Sequence, residues 1–193
     1  DNDGKAYSYA AYCRLVGGDG GGARAAADEA IRLGHCTAAV YANRAYSHLL
    51  SGDLEDARRD CDTAIGLDPD LPAPRFTRAT VHLQLHRRKK APIPLDALAD
   101  IARVTAAAPD SPDAWYTAAQ LRLLVAPNDP AARDDAAGAV RRAVLSGKPP
   151  DMIRRNAVLR NALGTHAVFK DALALQPCRT VSPTNPHLVN PIP

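Results

Sequence analysis

Shifted by 34 residues, the first third of this chain lies on the second without a gap. Tyr7 falls on Tyr41, Ala11 on Ala45, Tyr12 on Tyr46 and Leu15 on Leu49. Gly18-Asp19 falls on Gly52-Asp53, Ala23-Arg24 on Ala57-Arg58, Asp28 on Asp62, Ala30-Ile31 on Ala64-Ile65 and Leu33 on Leu67. A fixed period of this size marks a stacked array, because one unit cannot bury its apolar face alone and needs neighbours to complete the core. Composition points the same way. Aromatic residues are only 5% of the chain and alanine supplies much of the 46% hydrophobic fraction. Such a chain suits closely packed helices rather than a β-sandwich, which draws on branched and aromatic residues.

Within the second copy, a first helix is expected near Ala38 to Leu50, closed by Ser51-Gly52-Asp53, since glycine takes the left-handed conformation that ends a helix. A second helix is expected near Leu54 to Leu67, with Glu55 and Asp56 suiting the dipole of its first turn and Asp68-Pro69-Asp70 stopping it. Ala57 and Ala64 lie seven apart on one face of that helix, where small side chains let the paired helix approach.

Two looser units follow. Arg75 to His86 reads as the first helix of a third unit, with Phe76 and Ala79 at the places of Tyr41 and Arg44, a shift of 35. The turn from Arg87 to Pro94 is long, and a helix resumes near Leu95. The fourth unit opens at the cap Ser111-Pro112-Asp113, carries Trp115, runs to Val125, turns at Ala126 to Pro130 and ends with a helix at Ala131 to Ser146. Two or three short helices carrying Met152, Ile153, Leu159, Leu163, Phe169 and Leu173 are expected to cover the open end of the stack. The expected organisation is four repeats over 1–147 (5–37, 38–71, 73–110 and 112–147), a helical cap over 148–175 and a proline-rich tail over 176–193.

An aromatic opening the first helix, Gly-Asp at the turn, two alanines on the second helix and a closing Asp-Pro resemble the tetratricopeptide repeat (TPR). The match is densest over Val40 to Tyr46, Gly52-Asp53, Ala57 and Ala64 to Pro69. The resemblance implies an all-α helix-turn-helix solenoid that binds other proteins. Leu98 to Ile101, Ser111 to Tyr116, Met152 to Arg160 and Leu188 to Pro191 are also similar to TPR regions of planctomycete-type bacteria, which often follow a Ser/Thr kinase in one polypeptide. That likeness implies a regulatory or oligomerising segment of a larger signalling enzyme as the alternative, with a domain of the parent polypeptide as partner. The first three units look similar to repeats of heat-shock-protein co-chaperones, which clamp a terminal carboxylate with Lys and Asn side chains. Asn43 and Arg78 match that clamp, whereas Ser8, Tyr12 and Pro74 stand where its other members belong.

Charge separates these readings from others. With 24 Lys and Arg against 21 Asp and Glu, the net charge is +3, and no global field directs the chain to nucleic acid or membrane. No apolar run reaches the length of a bilayer span. The start lacks an initiator Met and shows no signal peptide, consistent with an excised piece of something longer. Cys13, Cys36, Cys61 and Cys178 show no close pairing, which reads as free thiols and a cytoplasmic setting.

No residue set announces catalysis, a metal or a cofactor, and a non-catalytic chain is expected. His82 and His86 have zinc-compatible spacing, but Arg87 and Arg88 adjoin them. Gly17 to Gly22 lacks the strand and the Gly-Lys-Ser/Thr ending of a phosphate loop and reads as a flexible turn. Arg75 to Lys90 holds six cations and no acid, while Asp53 to Asp70 is rich in acids, so neighbouring helices of opposite sign can neutralise each other. Cys13, Cys36 and Cys61 read as packing residues. The TPR resemblance implies a concave groove lined by the first helix of each unit. Its expected lining is Lys5, Ser8, Tyr9 and Tyr12 from the first unit, and Asn43 and Tyr46 from the second. Thr77, Arg78 and Val81 follow from the third, and Asp113, Tyr116, Thr117 and Gln120 from the fourth. Tyr12, Asn43, Tyr46, Arg78, Tyr116 and Gln120 are the candidate peptide-binding residues, since tyrosines bury area at small entropic cost and amides offer donors and acceptors to a backbone.

Overall fold

The computed structural model describes residues 2–175 and 185–191. Among them are eleven α-helices and no strand. Pro177, Cys178, Pro183 and Pro193 of the expected tail lie outside the described residues. The described residues form two compact units, one of residues 2–91 with 187–191, the other of residues 92–175 with 185–186.

The first unit holds α1 (Asn2–Val16), α2 (Gly20–Arg32), α3 (Ala38–Ser51), α4 (Leu54–Leu67) and α5 (Pro72–Lys89). Each helix packs on the next, and α1, α3 and α5 also touch in sequence, forming a row of first helices. Local chemistry sets the ends. The Thr37 hydroxyl accepts from the Val40 N–H at 3.4 Å and starts α3. Gly52 ends α3 at φ 85°, and its N–H reaches the His48 and Leu49 carbonyls. Ala23, Ala27, Ala30, Ala57 and Ala64 are fully buried where paired helices meet.

Three expectations are corrected here. The glycine run is no open turn: α2 begins at Gly20, where the Asp19 carboxylate accepts from the Gly22 N–H at 2.8 Å and caps the helix. The third first helix starts at Pro72 rather than Arg75, because proline fits the first helical turn, where an N–H would go unused. It runs on through Lys89, so the connection is Lys90 to Pro94. Cys13 and Cys36 are exposed, and only Cys61 of these three is packed inside.

The register of the third unit is also corrected. Arg44 Nη1 donates to Asp28 Oδ1 at 2.8 Å, and Arg78 Nη1 donates to Asp62 Oδ1 at 2.7 Å. Both members of the second pair sit 34 residues beyond those of the first, so the period is unbroken and the shift of 35 fails. Ala79 therefore matches Ala45, and both are fully buried. The acid-rich α4 and the cation-rich α5 face each other, with Lys89 near Glu55 and Arg88 donating to the Gly52 carbonyl.

The second unit holds α6 (Leu95–Ala107), α7 (Pro112–Val125), α8 (Pro130–Leu145), α9 (Pro150–Arg155), α10 (Ala157–Leu163) and α11 (Ala167–Ala174). Ser111 caps α7 by accepting from the Ala114 N–H, and Asp129 caps α8 by accepting from the Ala131 N–H. Trp115 donates through Nε1 to the Pro109 carbonyl at 2.7 Å. The core joins Trp115, Ala119, Leu123, Val140 and Val144 of α7 and α8 to Ile153, Leu159, Leu163 and Phe169 of the three short helices. Those helices thus cover α7 and α8, as amphipathic terminal elements do.

Candidate peptide groove

The first helices α3 and α5 hold a short piece of the chain's own C-terminal segment. Asn43 is almost fully buried on α3. Its side-chain amide donates to the Val189 carbonyl at 2.9 Å and accepts from the Val189 N–H at 3.1 Å. An extended residue turns its own N–H and C=O to the same side, as in a strand pair. In a helix the two point opposite ways along the axis. The double bond to Asn43 therefore fits an extended backbone and reads no side chain. Residues 188–190 form neither helix nor strand.

Two residues earlier, His187 enters an aromatic slot. Its ring stacks on Tyr46 with centroids 4.5 Å apart and planes 4° apart. On its other side lies Phe76, with centroids at 4.4 Å and a 39° tilt. Nδ1 of His187 is 2.9 Å from the Thr77 hydroxyl. The slot is itself fixed, since Phe76 and Thr77 are buried in α5. Thr77 sits 34 residues beyond Asn43, so equivalent positions of two repeats both hold the tail.

The other candidate residues do different work. Arg78, expected in the groove, pairs with Asp62 of α4, repeating the Arg44–Asp28 link between units. Hydrogen bonding to Asp60, and then to Asp28, holds the Arg44 guanidinium above its ordinary pKa. Tyr12 stacks with Tyr9 on α1 at 6.4 Å. Ser8 is fully buried beneath that face. Tyr116 and Gln120 belong to the second unit: Asn156 Nδ2 donates to Tyr116 Oη at 2.9 Å and to Gln120 Oε1 at 2.7 Å. Gln120 is only 1% exposed, so its amide is committed to tying α7 to the capping helices. Lys148 pairs with Asp113 and lies over the Tyr116 ring at 4.8 Å.

Phe76, His187 and Val189 are contact residues that the sequence alone does not single out. The signal for Phe76 was the unbroken 34-residue register, which puts it beside Thr77 at the place of Ala42 in the second unit. The same register moves the two clamp positions of the third unit from Pro74 and Arg78 to Ala73 and Thr77, and neither is a cation. No group of three or more His, Cys, Asp or Glu among the described residues could hold a metal ion. No helix among them is long and apolar enough to cross a membrane.

No family model matches the chain, and no curated protein matches it. Solved structures do. MamA (residues 41 to the end) from Desulfovibrio magneticus RS-1 is 20% identical with a TM-score of 0.63, over 90% of this chain and 91% of that one. TTC0263, a thermophilic TPR protein of Thermus thermophilus, is 14% identical with a TM-score of 0.63, over 89% of this chain and 87% of that one. The fold is thus a TPR-type helical solenoid.

Proposed function

We propose that this chain is a non-catalytic protein-binding module whose groove, on α1, α3 and α5, takes an extended segment of a protein partner. The observation that carries this reading is the Asn43 amide, which bonds both polar groups of one backbone residue. Tyr46, Phe76 and Thr77 add a slot for a ring, and Tyr12 lies further along the row, on α1. Four repeats over 1–147 and a cap over 148–175 remain the organisation we favour. The net charge of +3 gives no reason to invoke nucleic acid or membrane.

A terminal carboxylate is a poor ligand on this reading. Ser8, Tyr12, Ala73 and Thr77 supply no cation at the clamp positions, and a carboxylate held without one is costly to desolvate. Isothermal titration of the full chain with a Glu-Glu-Val-Asp-ending peptide tests this. We expect no binding below millimolar concentration. Micromolar binding that amidation abolishes defeats the proposal of an internal ligand. The second reading, a regulatory segment of a larger signalling polypeptide, draws support from the same contact, because the present occupant comes from the same chain.

A further inference from the structure

Resting on the groove reading above, we propose that the tail around His187 and Val189 is a resident competitor. The external partner it excludes would carry an imidazole or aromatic ring two residues before a backbone-paired residue. The two halves of the contact divide the labour. Asn43 fixes the backbone of the residue at 189 whatever its side chain, provided it keeps an N–H; proline is the one residue excluded. Tyr46, Phe76 and Thr77 then select what stands two residues earlier. The His187 ring against Tyr46, Phe76 and Thr77 and the Val189 backbone against Asn43 show that one ring and one backbone pair, two residues apart, engage α3 and α5 together. Stacked faces favour a flat ring over an aliphatic chain, and the Thr77 hydroxyl 2.9 Å from Nδ1 favours a ring with a polar edge.

The tail is part of the same polypeptide, so it competes as an intramolecular ligand whose advantage does not fall on dilution. A partner then binds only the fraction of molecules whose groove is open, and its apparent affinity falls by that fraction. A tail docked in nine molecules of ten weakens a partner about tenfold.

The test uses the full chain, its His187→Ala and Val189→Pro variants, and a peptide spanning residues 185–191 with both ends blocked. Both substitutions lie outside the helices, so they leave the helical body intact. Two readouts are taken: hydrogen exchange of the Val189 amide, and peptide titration to millimolar concentration followed by amide shifts of α3 and α5. We expect Val189 to be protected in the parent chain and to lose about tenfold of that protection in His187→Ala. We expect His187→Ala and Val189→Pro to bind the peptide about tenfold more tightly than the parent, with Asn43→Asp binding weakly. Equal peptide affinity in parent and variants, with Val189 exchanging as in a free chain, overturns the resident tail and leaves the groove reading standing. A protected Val189 with no peptide binding by any variant makes the tail a fixed structural element and overturns the competition. Fast exchange together with no binding overturns both readings.

Discussion

Arg44 is the side chain whose removal tests the packing logic of the repeats most directly. Its Nε and Nη2 each reach an Asp60 carboxylate oxygen at 2.7 Å, and its Nη1 reaches Asp28 at 2.8 Å. The Asp60 side chain is only 8% exposed, whereas Asp28 is 56% exposed. Replacing Arg44 by Met keeps the aliphatic volume and strands the Asp60 charge. Breaking a buried pair from one side costs about 3–5 kcal/mol. The residual exposure of the Asp60 side chain, 8%, lets water recover part of that. The exposed Asp28 link adds less than about 1 kcal/mol. We therefore expect Arg44→Met to cost about 2–4 kcal/mol, read as a fall of about 30- to 800-fold in the exchange protection of α3 and α4 amides. The double variant Arg44→Met/Asp60→Leu removes the stranded charge and should return to within about 1 kcal/mol of the parent. A single variant that costs under about 0.5 kcal/mol, or a double variant no better than the single, refutes the reasoning.

Three further outcomes follow from the geometry. Ala57→Leu overpacks a fully buried contact of α4 and should cost about 1–3 kcal/mol; an unchanged melting midpoint would mean the helix pair is not packed there. Asn156→Ala loses the cap on the Leu159 N–H and both bonds to Tyr116 and Gln120, at about 2–3 kcal/mol. Asn156→Asp keeps the cap but sets an acceptor against Gln120 Oε1, so it should recover little of that cost, with Trp115 fluorescence in urea as the measure. Gly52→Ala forces a side chain at φ 85° and places its Cβ 3.0 Å from Arg88 Nη1, at about 1 kcal/mol; a stability gain in thermal melts would contradict the left-handed cap.

The helices were readable wherever two independent signals agreed. The expected range Leu54 to Leu67 coincides with α4 because acids, alanines and Asp-Pro mark start, face and stop together. The glycine run misled because five glycines surround the one capping aspartate, and Asp19 decides where α2 begins. The third unit slipped by one because Arg75 stands where the other units carry an aromatic, and Phe76 beside it mimics that aromatic. Arg75 takes over the anchoring role of that position by donating to the Pro69 carbonyl, as Trp115 does to Pro109. The groove was half readable. Residue type and helix face suggest that Asn43 and Tyr46 can meet a peptide. That the peptide is residues 187–189 depends on contacts across 110 and 146 positions of chain, which no local pattern encodes.

The ring of His187 between Tyr46 and Phe76 also acts as a sheath. An empty aromatic slot is adhesive: it offers flat apolar faces to any chain that passes, and such patches drive self-association at high concentration. With the slot filled by its own imidazole, the protein keeps that surface out of circulation. Trimming of the C-terminal segment by a protease would then change the colloidal behaviour of the protein before it changed its fold. Turbidity would register the loss while the helical signal stayed constant.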